Sequence, residues 1–87
     1  MIYEEMPNAE YRLVERKVGN VEGICVTYSL YEADGLWRMT VATESERWNE
    51  RLHVSREQAL SLLSLLCREG VTPCSFGDIM RDWRKMQ

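Results

Sequence analysis

The stretch from Leu52 to Trp83 constrains the fold most tightly, because it reads as strand end, helix, sharp turn and second helix, with a signal at each boundary. Leu52, His53 and Val54 close an alternating segment. Ser55, with Gln58 three residues on, has the capping-box pattern: the hydroxyl accepts an orphan first-turn amide and the later side chain reaches back. A leucine-rich helix follows over 56–69. At about 100° per residue, Ala59, Leu60, Leu62, Leu63, Leu66 and Cys67 share one broad arc, while Leu65 sits on its flank. Gly70 is placed as the left-handed residue that closes the helix, with Val71 as the apolar contact after it. Thr72 and Pro73 then break the chain before a second helix over 75–86, capped by Ser75 with Asp78. Its stripe is Phe76, Ile79, Met80, Trp83 and Met86. Asp78–Arg81 and Asp82–Lys85 are spaced for weak ion pairs.

Upstream, period-2 patterns dominate. A first strand is expected from Tyr11 to Val18. Tyr11 and Leu13 share one face while Val14 and Val18 share the other, and that switch implies an edge strand or a bulge. Glu15, Arg16 and Lys17 suit an edge, where charge discourages pairing with another chain. Gly19 and Asn20 read as a turn. The second strand runs from Ile24 to Leu30, with Ile24, Val26, Tyr28 and Leu30 alternating against Cys25, Thr27, Ser29 and Tyr31. Asp34–Gly35 is a hairpin signal. A third strand sets Trp37, Met39 and Val41 against Leu36, Arg38, Thr40 and Ala42. A fourth, over 47–54, sets Trp48, Leu52 and Val54 against Arg47, Asn49, Arg51 and His53. Strands in a run followed by helices indicate an α+β fold. The expectation is an antiparallel meander of three to four strands, order 1-2-3-4, with two C-terminal helices packed on one sheet face. Residues 1–10, with Pro7 and Asn8 and no periodicity, read as a mobile arm before a single domain over 11–87.

Eighty-seven residues bound this to one domain, and no apolar run approaches the roughly 20 residues needed to cross a bilayer. The acidic start (Met1 to Glu5) has no secretion pattern, so a cytoplasmic protein is expected. Cys25, Cys67 and Cys74 have no C-x-x-C spacing and read as reduced thiols. Residues 1–46 hold four basic and nine acidic side chains, a net of −5, and residues 47–87 hold seven and five, a net of +2. That imbalance is too mild for a nucleic-acid footprint, but it can orient self-association.

Tyr11, Leu13 and Glu15, then Gly23–Ile24 opening a strand, Val54–Ser55 at a helix entry, the run Gly70, Val71, Thr72, Pro73, and Asp78, Ile79 and Asp82 in the last helix form an ordered pattern. It resembles a domain-of-unknown-function family of short proteins from low-GC Gram-positive bacteria, over about residues 11–83. The resemblance implies a single, non-secreted domain and carries over no activity, ligand or catalytic residue. The chain departs from it at Arg81, Arg84 and Lys85, where more acidic residues are expected.

Chemistry-bearing constellations are sparse. His53 is the only histidine, falls on an outward strand position and reads as a surface residue. Ser55 is explained by capping, and no G-x-S-x-G elbow is present. Zinc ligands come in close pairs, whereas Cys67 and Cys74 are seven apart and Cys67 lies on the helix's apolar arc. Glu44, Glu46 and Glu50 lie in or near a polar turn rather than a cleft. Gly19 and Gly23 lack the strand-to-helix setting of a phosphate loop. The sequence therefore implies no enzyme, no metal and no cofactor.

Two readings are left. The first is a non-enzymatic interaction or regulatory module that binds a protein partner or forms a homodimer. It rests on an apolar surplus: a single helical layer leaves the second sheet face with Cys25, Thr27, Tyr31, Leu36 and Ala42, and Leu65 lies off its stripe. The second is a DNA-binding regulator using the helix-turn-helix-like pair 56–86 and its basic end, Arg81, Arg84 and Lys85. Phe76, Gly77 and Asp78, where such a motif reads bases, suit core contact and repel phosphate. The candidate surface is Cys25, Thr27, Tyr31, Leu36, Leu65, Arg81, Arg84 and Lys85.

Overall fold

A computed structural model describes residues 11–85; the arm expected over 1–10, and Met86, lie outside these residues. The elements are β1 (Arg12–Val21), β2 (Ile24–Ala33), β3 (Leu36–Ala42), β4 (Arg47–Leu52), α1 (Arg56–Glu69) and α2 (Pro73–Lys85). The strands form one antiparallel sheet in the order β1-β2-β3-β4. Both helices pack on the same face, α1 against β1 and β2, α2 against β3 and β4.

Local chemistry explains each boundary. β2 and β3 are joined by Asp34 and Gly35, both at positive φ (50° and 82°), which matches the right-handed twist of the strands they connect. β1 and β2 are joined in the same way by Glu22 (φ 53°) and Gly23 (φ 86°). The turn expected at Gly19 and Asn20 is therefore corrected: both lie inside β1, which runs on to Val21. Asn20 still serves the turn, since its Oδ1 accepts the Gly23 N–H at 2.9 Å. The face switch in β1 is a register shift between Leu13 and Glu15. Between β3 and β4, Thr43 Oγ1 accepts the Glu46 N–H at 3.1 Å. β4 ends at Leu52, earlier than the expected Val54.

α1 has the expected bounds, with the Ser55–Gln58 capping box in place and Gly70 left-handed at φ 67°. The amides of Gly70 and Val71 close the helix on Cys67 O and Leu66 O, the pattern in which a glycine at positive φ satisfies the last carbonyls. α2 starts at Pro73, two residues before the expected Ser75. Pro73 occupies a first-turn position, where its missing N–H costs nothing, and Thr72 N–H donates to Ser75 Oγ at 3.2 Å.

The core lies between the sheet and the helices: Val26, Tyr28 and Leu30 of β2, Trp37, Met39 and Val41 of β3, and Leu52 meet Ala59, Leu62, Leu63 and Leu66 of α1 and Phe76 and Met80 of α2. Trp48 faces the same side but stays 45% exposed. Tyr28 is fully buried, and its hydroxyl donates to Val71 O at 2.7 Å, tying the sheet to the helix–helix connection. Burial pushes the Tyr28 phenol above its ordinary value of 10.0, and the neighbouring Cys67 adds to the shift.

Tyr28→Phe leaves the Val71 carbonyl without this donor and is expected to cost about 1–2 kcal/mol in urea denaturation. The phenol of the unfolded chain ionises first. The contribution of this group is therefore fully present below the unfolded value of about 10 and is lost as pH rises through the folded one. Between about pH 9 and 11 the urea midpoint of the native chain should fall more steeply than that of Tyr28→Phe; parallel slopes would contradict this account.

Candidate interaction surface

Cross-strand register fixes what the second sheet face presents. Leu13 pairs with Tyr31, Tyr31 with Arg38, and Arg38 with Arg51. The next row holds Arg16, Ser29, Thr40 and Asn49, and the next Val18, Thr27, Ala42 and Arg47. Among the described residues no helix packs on this face. Alternation puts every strand carboxylate (Glu15, Glu32 and Glu50) on the helix side of the sheet, and Arg16, Arg38, Arg47 and Arg51 on the second side.

The middle of the face is polar and well bonded. Ser29 and Thr40 are buried. Ser29 Oγ accepts Arg16 Nε at 3.1 Å, and a second Arg16 nitrogen reaches the Tyr31 hydroxyl at 3.4 Å. Thr40 Oγ1 donates to Asn49 Oδ1 at 2.8 Å. The Arg38 guanidinium lies over the Tyr11 ring, 4.7 Å from its centroid. Apolar groups flank this middle: Leu13, Val18 and Leu36 are 48%, 62% and 42% exposed. Of the sequence-derived candidates, Cys25, Thr27, Tyr31 and Leu36 share this face. The arginines beside them went unweighted, although strand alternation alone places them there.

The other four candidates lie across the molecule. Leu65 is half-buried against the core, beside Trp83 in a shallow groove between the helices. Arg81 pairs with Asp78 at 3.5 Å, and Arg84 pairs with Glu50. Glu50 also accepts the Trp48 indole N–H at 3.3 Å. A cleft of about 550 Å³ opens here between β4 and α2, lined by Trp48, Glu50, Cys74, Gly77, Arg81 and Arg84. Two of the basic side chains behind the DNA-binding reading are thus engaged by carboxylates of the chain itself.

His53 is exposed at the end of β4. Ser55 Oγ accepts the Gln58 N–H at 3.1 Å. Cys74 Sγ lies 3.7 Å from Glu46 Oε1. Among the described residues no three His, Cys, Asp or Glu side chains converge to hold a metal ion. None of the described helices is long and apolar enough to cross a membrane.

Fold and surface define a small α+β module: a four-stranded meander backed by a helical pair, with an arginine-bearing second face. The chain belongs to the family of unknown function DUF6514, whose profile matches residues 3–86. No curated protein and no solved structure matches the chain.

All three cysteines are free, with Cys25 and Cys74 exposed and Cys67 half-buried beneath β1. Ellman's reagent in native buffer should therefore titrate two thiols rapidly and the third slowly, because reaction needs access to the sulfur. Cys67→Ser should remove the slow phase alone, and its loss from Cys25→Ser instead would contradict the placement.

Proposed function

We propose that the protein is a non-enzymatic interaction module whose working surface is the second sheet face. The observation that supports this reading is the composition of that face. Exposed Leu13, Val18 and Leu36 stand beside Tyr31 and arginines on β1, β3 and β4. Arginine and tyrosine with aliphatic neighbours, and no strand carboxylate among the described residues of the face, is the make-up that distinguishes interface cores from ordinary surface.

The expected homodimer is the second reading, favoured by the three exposed aliphatic side chains. A two-fold contact through this face sets the same patch against itself, bringing Arg38 and Arg51 of one copy toward those of the other. Like-charge juxtaposition of this kind costs several kcal/mol, so a different partner fits better than a second copy. DNA binding through α1 and α2 has weaker support, since Arg81 and Arg84 already pair with Asp78 and Glu50.

The test is position-resolved photo-crosslinking in the native host. A benzophenone side chain placed at Val18 or Leu36 should give discrete higher-mass adducts, and one at Ser61 or Ser64 on exposed α1 positions should give none. Adducts of twice the chain mass, matched by a dimer in light scattering, select self-association. Adducts from the α1 positions alone would sink the reading.

A further inference from the structure

We infer that the outer edge of β4 is a docking site for an extended peptide that adds a strand to the sheet, with acidic side chains on the second-face side and apolar ones on the helix side. The site is separate from the face proposed above and stands or falls independently of it. A sheet edge offers a row of backbone N–H and C=O groups to another strand. The two edges of this sheet differ. β1 is interrupted by its register shift between Leu13 and Glu15 and carries Glu15, Arg16 and Lys17 in succession, features that discourage pairing. β4 pairs with β3 without a break from Arg47 to Leu52 and holds neither proline nor glycine. Among the described residues no strand pairs with its other side. Its one charge on the helix side, Glu50, is already answered by Arg84.

Charge says what the added strand carries. Arg47 and Arg51 are exposed on the second-face side of β4, with Asn49 between them. Neither forms an ion pair with a described residue, and the neighbouring Glu46 carboxylate lies beside Cys74 Sγ at 3.7 Å. Acidic residues directly opposite them in a new strand make cross-strand pairs of opposite charge, which stabilise a sheet. A second copy paired here with its helices on the same side sets Arg47 against Arg51, or Glu50 against itself, so a different, acidic partner fits better. The helix side supplies the pocket. The cleft of about 550 Å³ between β4 and α2 opens beside the half-exposed Trp48, and Gly77 lines it from α2. Glycine is a poor helix former, yet a Cβ at this position would meet only the Trp48 ring, at 3.8 Å, an ordinary contact. Packing therefore does not require glycine at position 77. Its effect is to leave a hollow beside an indole, where an apolar side chain of an added strand can enter; in strand addition the backbone gives affinity and such pockets give specificity.

The experiment is fluorescence anisotropy on the full chain with a labelled peptide of about nine residues that alternates Glu with Val and has Phe in place of the central Val. Binding is expected, weakening as salt rises from about 50 to 300 mM. Two N-methylated peptides separate strand addition from charge attraction, because only every other amide of a strand faces its neighbour. Methylation of the Glu amides or of the Val and Phe amides should abolish binding in one case and spare it in the other; equal behaviour of the two overturns the inference. Arg47→Glu, Arg51→Glu and Gly77→Met should each weaken binding about tenfold, while Arg68→Glu on α1 leaves it unchanged. Gly77→Ala should raise the urea midpoint. A lowered midpoint there, or binding indifferent to both arginine reversals, overturns the inference. So does equal binding of a peptide with Lys in place of Glu. A dimer in light scattering that the peptide dissociates makes a second copy the occupant, and binding seen only once Glu4, Glu5 and Glu10 are changed to Gln makes it the chain's own terminus; either result overturns the inference.

Discussion

The fold depends on one buried hydrogen bond between its two layers. Tyr28 sits in β2, which has a strand on each side, and its hydroxyl reaches Val71 O in the short connection between the helices. Val71 fixes the connection twice more. Its amide closes α1 on Leu66 O, and its side chain is buried in the core. A buried phenol without a partner is costly, as is a buried carbonyl, so each group requires the other. The bond therefore sets where α1 must stop and how α2 must leave, and Gly70 at positive φ is the residue that makes that exit possible.

With both helices committed to one face, the sheet's other face is left to strand alternation. There the chain keeps a hydroxyl and amide network at the centre, arginines around it and aliphatic groups at the margins. The network satisfies the buried Ser29 and Thr40 hydroxyls. Basic residues near the C-terminus play a different part. Arg84 fastens α2 to β4 through Glu50, which gives it a structural use on the helix side.

Much of the architecture was legible because its boundary signals are local. Ser55–Gln58, Gly70 and Asp34–Gly35 each specify a backbone conformation through their own chemistry, and the structure has each one. The first hairpin was misplaced for an equally local reason. Asn20 and Gly19 look like turn residues, whereas the turn uses Glu22, a residue seldom found at positive φ, and takes only a side-chain oxygen from Asn20. The start of α2 was set late because Pro73 reads as a breaker although it suits the first turn of a helix. The surface was harder to read. That Arg38 opposes Arg51, or that Arg84 spends its charge on Glu50, depends on register and packing between distant segments, which no single stretch of sequence encodes.

The two-residue turns have a consequence for the path by which the chain folds. Each strand pairs with the next in sequence, so the meander assembles from hairpins that close in about 1–10 μs with little loop entropy to overcome. α1 and α2 are likewise joined by a short connection and form as neighbours. The Tyr28–Val71 contact instead spans 43 positions, and it exists only once sheet and helical pair have come together. Bringing sheet and helical pair together therefore carries a loop-closure cost that pairing between neighbouring strands does not. Substitutions at contacts made before that closure then act on how fast the molecule folds, and those at contacts completed after it act on how fast it unfolds.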